Sequence, residues 1–101
     1  MGTQPTPGNR SHARLGAVIS RRLRARGYRI MPSARRLAAE GITVRQVGDA
    51  YARVLIDLPG TTRREALAEE IAETLQDMGY EVGRLDYGDA PIAGISVRVR
   101  A

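Results

Sequence analysis

Cysteine, lysine, phenylalanine and tryptophan are all absent from the 101 residues of this chain, and histidine occurs only once. Without cysteine there is no disulfide framework, no thiolate metal site and no thiol redox chemistry. The single histidine, His12, cannot build a zinc site from histidine and cysteine ligands. The missing lysine excludes a P-loop, and no G-x-S-x-G motif surrounds Ser20, Ser33 or Ser96. These absences predict a protein that is not an enzyme and that carries no cofactor or metal.

Long apolar runs are also missing, since no stretch approaches the ~18 residues of a membrane span. The first ten residues, MGTQPTPGNR, lack the apolar centre of a signal peptide. Their polar, Pro- and Gly-rich composition predicts a disordered tail over residues 1–10. The remaining residues, 11–101, predict a single domain with one modest core. We expect a cytoplasmic protein without membrane contact.

All 16 basic residues are arginine, and the formal net charge is +5. This profile is typical of a GC-rich genome, so codon usage explains part of the arginine excess. The charge is nevertheless uneven along the chain. Residues 1–60 hold 11 arginines against three acidic residues, whereas residues 61–101 hold five arginines against eight acidic residues. The asymmetry predicts an anionic partner for the first half of the chain.

Three segments share the pattern Leu-x-x-x-Gly followed by a bulky residue: LRARGY (23–28), LAAEGI (37–42) and LQDMGY (75–80). Glycine at the position after a helix adopts the left-handed conformation without a Cβ penalty, and the next residue folds back onto the leucine. The pattern therefore predicts three helix ends. Tyr28 and Tyr80 are interpreted as cap contacts rather than ligand-binding aromatics.

The first helix is predicted from an N-cap at Ser11 to Arg26, with Leu15, Val18, Ile19 and Leu23 as its apolar stripe. A short helix is predicted from about Ser33. A third begins at Thr62, which has the capping-box spacing to Glu65. Alternating patterns predict strands over 42–47 and 50–58, joined by a Gly48–Asp49 turn, and over 80–87 and 95–100.

These elements predict the α+β class: a small two-layer domain with helices on one face of a mostly antiparallel four- or five-stranded sheet. The favoured order is αββ–αββ, with repeats at 33–58 and 62–100, preceded by a basic helix. A short first strand over 27–30 would instead give a βαββαβ order with one further strand. Both orders place the helices on one side of the sheet.

Carboxylates are the one remaining route to catalysis. Asp49 and Asp89 occupy two Gly-Asp turns, and Glu40 and Asp77 lie near the ends of two predicted helices. Helices that end in acids and lead into strand pairs resemble the layout of LAGLIDADG-type homing endonucleases, whose acids hold metal ions. The small-residue helix interface of that family is missing here, and aspartate suits tight turns for backbone reasons alone. A metal-dependent nuclease is therefore a minor alternative.

The favoured function is a small non-catalytic binding protein that contacts nucleic acid, DNA or RNA, through its arginine-rich first half with little sequence specificity. Arginine suits phosphate because its planar fork donates two hydrogen bonds at once. The candidate nucleic-acid-binding residues are Arg14, Arg21, Arg22, Arg24, Arg26, Arg29, Arg35 and Arg36. A second candidate surface is the open sheet face, where Arg45, Arg53, Arg98 and Arg100 join Tyr51.

The alternative function is protein interaction or assembly, for instance as a homo-oligomeric or phage-like structural subunit. Val47 and Leu55 are predicted to share the outer face of the sheet with Arg53, which favours a covered face. An apolar sheet face or a strand edge would then form the interface. The two functions differ in salt dependence, because nucleic-acid binding weakens steeply as salt rises.

Overall fold

The structure is a computed structural model that describes residues 15–31 and 41–100. Its elements in chain order are α1 (Leu15–Ala25), β1 (Ile30–Met31), β2 (Gly41–Gly48), β3 (Tyr51–Asp57), α2 (Thr61–Asp77), β4 (Glu81–Leu85) and β5 (Ile92–Arg98). The predicted tail over 1–10, the helix start at Ser11 and the short helix from Ser33 lie outside these ranges. A short first strand, β1, is present, but it covers Ile30–Met31 and shares only Ile30 with the stretch 27–30 that the sequence allowed.

The five strands form one sheet in the order β1-β2-β3-β5-β4. β1 runs parallel to β2, and all other neighbours are antiparallel. α1 packs on β2 and β3, while α2 packs on β3, β4 and β5 of the same face. The predicted class, a two-layer α+β domain with its helices on one face of a mostly antiparallel sheet, is confirmed. The αββ–αββ order stays a prediction, because its first repeat begins among residues that are not described.

The core is centred on the antiparallel pair β3 and β5, whose inward residues alternate as the sequence predicts. Small and large side chains face each other across this pair. The buried partners are Ala52 with Val97, Val54 with Ile95, and Ile56 with Ala93. Each of the two strands therefore points one alanine and two branched side chains into the core. Because each alanine faces a larger branched partner, the side chains pack at high density.

Each helix covers this core with a stripe at helical spacing. On α1 the stripe is Leu15, Ile19 and Leu23, as predicted, with Val18 half-buried beside it. On α2 the buried stripe is Ala68, Ile71 and Leu75. The Gly16 amide also donates a 2.6 Å hydrogen bond to the Gln46 side-chain carbonyl, which ties the first turn of α1 to β2.

Both helices end in the predicted Schellman motif. After α1, the Tyr28 amide donates to the Leu23 carbonyl (3.1 Å) and the Gly27 amide donates to the Arg24 carbonyl (2.9 Å). Tyr80 and Gly79 make the same two bonds after α2. The φ angles of Gly27 and Gly79 are 98° and 99°, in the left-handed region that favours glycine. The third predicted cap, at 37–42, falls largely on residues that are not described.

The predicted start of α2 at a Thr62–Glu65 capping box is wrong. The N-cap is Gly60, which has a φ of 87°, and no side chain caps the helix. The Arg64 amide donates to the Gly60 carbonyl (3.0 Å), so the helix already begins at Thr61. The Pro59-Gly60 pair ends the preceding segment in a backbone conformation that glycine adopts easily, and this conformation decides where the helix starts.

Two strand boundaries also differ from the predictions. The hairpin turn is Asp49–Ala50 rather than Gly48–Asp49, because a bulge between Gln46 and Gly48 shifts the register by one residue. β5 covers Ile92–Arg98 rather than the predicted 95–100, and Val99, which lies within the predicted strand, is 41% exposed beyond the observed strand end. At the β2–β3 turn and at the end of β5, apolar and polar residues continue to alternate in the sequence where the strand pairing has already shifted or ended.

We expect Gly79→Ala to lower the free energy of unfolding by about 1–2 kcal/mol, since an alanine Cβ is disfavoured at positive φ. Urea unfolding measures the loss. The matched control is Gly48→Ala, because Gly48 has a φ that is not positive. A Cβ added there would lie 3.9 Å from its nearest neighbour, the Cβ of Tyr51. Equal losses in the two variants would contradict the assignment of the effect to the helix cap.

Candidate functional site

The exposure of the arginines predicted to bind nucleic acid is set by the position of the apolar stripe of α1. Leu15, Ile19 and Leu23 fix one side of the helix on the sheet. The arginines of the helix lie on its other sides and are exposed. The structure places five of the eight candidates on the exposed surface of α1 and the segment after it: Arg21, Arg22, Arg24, Arg26 and Arg29. We call these five residues the α1 surface. Arg14, Arg35 and Arg36 lie outside the described ranges.

Two arginines of the α1 surface also have structural contacts. The Nη2 group of Arg24 donates a 3.0 Å hydrogen bond to the Ile30 carbonyl and so connects the helix to β1. The guanidinium of Arg22 lies 5.8 Å from the centre of the Tyr80 ring, within cation–π range. No arginine of the α1 surface forms an ion pair with a carboxylate of the described residues.

The helical layer is divided into a basic and an acidic half. No acidic residue occurs before Glu40 in the sequence. α2, in contrast, exposes Glu65, Glu69, Glu70, Glu73 and Asp77. A polyanion is therefore attracted to α1 and repelled by its neighbour, which directs its approach to the side of α1 away from α2.

Tyr28 connects these two halves. Its hydroxyl donates a hydrogen bond to the Glu70 carboxylate of α2. Partial burial raises the pKa of Tyr28 above its ordinary value of 10.0, and the bond to Glu70 raises it further. The C-terminal end of the α1 surface is thus held in place by a contact with the acidic helix.

The sheet register brings most of the second candidate set together on the face opposite the helices. Arg45 lies directly across from Arg53, and Tyr51 lies directly across from Arg98. We call these four residues the open-face cluster. Arg100 lies beyond the end of β5 and is not part of it.

Tyr51 is the centre of the open-face cluster. Its ring centre lies 4.8 Å from the guanidinium of Arg98 and 5.8 Å from that of Arg53. The Nε group of Arg53 also donates a long hydrogen bond of 3.4 Å to the Tyr51 hydroxyl. This bond is the main cause that raises the pKa of Arg53 above its usual range, and the nearby Tyr87 hydroxyl contributes less.

Tyr87 is a residue of this face that the sequence did not indicate. It precedes β5 by several residues, yet its ring lies over Gly94, where any Cβ would collide with it. Together with Arg45 and Arg53 it lines a concavity of about 560 Å³. The only sequence signal for this arrangement is a glycine inside a strand, which often marks a close approach of another group.

Two arginines of the second half of the chain have structural roles instead. Arg64 is only 9% exposed and donates to the Leu58 carbonyl (2.8 Å) and to the Thr61 hydroxyl (3.3 Å). Arg84 forms ion pairs with Glu65 (2.7 Å) and Glu69 (3.8 Å) on α2. Both residues line a concavity of about 480 Å³ at the start of α2, which also contains acidic side chains.

Two of the carboxylates considered for a nuclease, the turn residues Asp49 and Asp89, do not come together. Asp49 is in the turn that starts β3, and Asp89 is in the loop that starts β5, so the antiparallel pairing puts them at opposite ends of the sheet. Glu40 is not described. Across residues 15–31 and 41–100, no three histidine, cysteine or acidic side chains gather in a way that could hold a metal ion. Of the two described helices, neither has the length and hydrophobicity that crossing a bilayer requires.

Comparison of the chain with protein-family models, with curated proteins and with solved structures finds no match. The assignment of function therefore depends on the chemistry of the surfaces described above.

We expect the protein to lose stability as the pH rises above 10, in part through Tyr28. The folded protein holds the Tyr28 proton more tightly than the unfolded chain does, because the pKa of Tyr28 is raised in the fold. The resulting stabilisation is fully present below pH 10 and is lost as the pH rises through the raised pKa. Urea unfolding of Tyr28→Phe should show a shallower alkaline loss than the wild type.

The matched control is Tyr80→Phe, which removes the other tyrosine of a helix cap and leaves the Tyr28–Glu70 bond intact. It should retain the alkaline slope of the wild type. If Tyr28→Phe and the wild type have the same slope above pH 10, Tyr28 does not contribute to the alkaline loss.

Proposed function

We propose that this protein binds nucleic acid through the α1 surface, mainly by contacts to phosphate. The observation that carries the proposal is the charge of this surface: five exposed arginines within residues 21–29, none of them paired with a carboxylate of the described residues. Codon usage explains why these residues are arginine rather than lysine. It does not explain why residues 1–39 contain no acidic residue at all.

The contrast with the second half of the chain supports this proposal. Arg64 and Arg84 are used to hold α2 and β4 in place, through carbonyl, hydroxyl and carboxylate partners. Arg21, Arg26 and Arg29 have no such role among the described residues. Exposed guanidinium groups without protein partners are available for bidentate hydrogen bonds to phosphate.

Binding of this kind has low sequence specificity. Phosphate contacts position a protein on nucleic acid but carry no base information. Neutralised phosphates release counterions, so the affinity falls as salt rises, for DNA and RNA alike. A non-catalytic role and a cytoplasmic location remain part of this proposal.

The test is fluorescence anisotropy with a labelled duplex, at several salt concentrations. We expect the double variant Arg21→Gln, Arg26→Gln to bind more weakly and to lower the slope of log affinity against log salt by about 2, close to one unit for each lost phosphate contact. These two arginines are chosen because neither side chain forms a hydrogen bond, an ion pair or a ring contact with another described residue, and Arg26 acts on Tyr28 only through its charge. Their loss should therefore leave the fold intact.

The matched control is Arg63→Gln, Arg100→Gln, which removes the same charge from exposed positions outside the α1 surface. It should retain most of the wild-type slope. Equal slopes in the two double variants would show that net charge, and not the α1 surface, governs binding. The absence of wild-type binding at low salt would contradict the proposed function and would favour the assembly alternative, for which a mass above that of the monomer, independent of salt, is expected.

A further inference from the structure

The open face of the sheet carries three arginines, Arg45, Arg53 and Arg98, that form no ion pair with a described residue. Arg45 and Arg53 lie directly across from each other on β2 and β3, on the same face. Like charges in such cross-strand pairs are destabilising. Arg98 adds a third guanidinium around Tyr51. No described carboxylate forms an ion pair with any of the three, although Glu81 lies directly across from Arg98 on β4. An anion bound on this face would remove the repulsion.

Beside these arginines the face is concave and partly apolar. The concavity of about 560 Å³ has Leu55 and Ile92 as its apolar part and Tyr87 as an aromatic wall, with Arg45, Arg53 and Val47 around them. Its volume is in the range that proteins use for a single small ligand unit. An aromatic wall beside a pair of guanidinium groups suits a flat ring attached to a phosphate.

The concave surface continues across the sheet. Arg53 lies opposite Ser96, and Ser96 lies opposite Gly83 on β4. These two small residues line a second concavity of about 270 Å³ together with Arg98, Val82 and the acidic Glu81. The row runs from Arg45 through Arg53 and Ser96 to Gly83, and its last two residues have small side chains. It crosses four strands, a distance of about 14 Å. We call this row, with its two concavities, the open-face trough.

We propose that the open-face trough binds single-stranded nucleic acid, with a base against Tyr87 and the adjoining phosphates at Arg45, Arg53 and Arg98. This inference rests on the proposed function, since it names the class of nucleic acid and adds a second binding surface. The bases of a single strand are free to leave their neighbours and stack on aromatic rings or on guanidinium planes. A duplex keeps its bases inside and presents only backbone to a flat sheet.

Tyr51 has a positioning role in this site. Its ring and hydroxyl contact Arg53 and Arg98 and hold both guanidinium groups near the trough. Gly94 has the complementary role for the wall, since only the missing side chain lets the Tyr87 ring lie over β5.

The experiment compares binding of a labelled oligothymidylate single strand and a labelled duplex of matched length, by fluorescence anisotropy. We expect Tyr87→Leu to weaken binding of the single strand by between about 5-fold and 100-fold, the range for one base–aromatic stack, and to leave duplex binding unchanged. Tyr87→Phe, which keeps the ring, should bind the single strand as the wild type does. Thermal unfolding monitors whether each variant remains folded.

A second variant tests the charges independently of Tyr87. Arg45→Gln, Arg53→Gln should weaken single-strand binding and lower its salt slope by about 1.4, that is about 0.7 for each arginine. The control Arg63→Gln, Arg100→Gln should retain the slope. The comparison of these two double variants tests the inference even if Tyr87→Leu fails to fold.

The outcomes separate this inference from the proposed function. If the wild type binds both probes and neither trough variant changes single-strand binding, the trough inference is wrong while the α1 surface stands. If the wild type binds neither probe, both are wrong. If the trough variants instead abolish a dimer seen by sedimentation and leave nucleic-acid binding unchanged, the occupant of the trough is a second copy of the chain and the inference is overturned.

Discussion

The antiparallel pairing of β3 with β5 sets the position of every other described element. It joins the β2–β3 hairpin to the β4–β5 hairpin and gives both helices a common surface on which to pack. Its register interlocks two alanines with larger branched partners. A slip of one residue would turn Tyr51 and Arg53 toward the helices and expose Val54, so the core that stabilises the fold also fixes which side chains are available for binding.

The sequence predicts features that depend on local chemistry. The glycine after each described helix and the alternation along β3 each follow from a few neighbouring residues, and both were predicted correctly. The start of α2 was mispredicted because the backbone at Gly60, and not the hydroxyl of Thr62, decides where the helix begins. The bulge that moves the β2–β3 turn depends on pairing with a partner strand, which a local pattern does not show.

The same distinction holds for the candidate site. Exposure of the arginines on α1 follows from helical periodicity, and it was predicted. The positions of Tyr87 over Gly94 and of Arg64 beneath the start of α2 arise from contacts between segments that meet only in the folded chain. Arginine itself gave no signal for this difference, since the buried Arg64 and the exposed Arg21 each belong to an Arg-Arg pair in the sequence. An arginine that holds two segments together differs from one that is free to bind a ligand in its contacts within the fold, and not in its residue type.

The two basic surfaces lie on opposite sides of one sheet, and the elements that carry them include β2 or pack on it. α1 packs over β2 from one face, and Arg45 extends from β2 on the other. β1 pairs only with Ile42 and Thr43, so among the described strands the rest of β2, including Arg45, is an edge. A ligand that contacts both surfaces must bend around this edge within the width of a small domain. Duplex DNA, with a persistence length of about 50 nm, does not bend so sharply without a large cost, whereas a single strand does. If both proposed surfaces bind one ligand, that ligand must therefore be a flexible polyanion rather than a duplex.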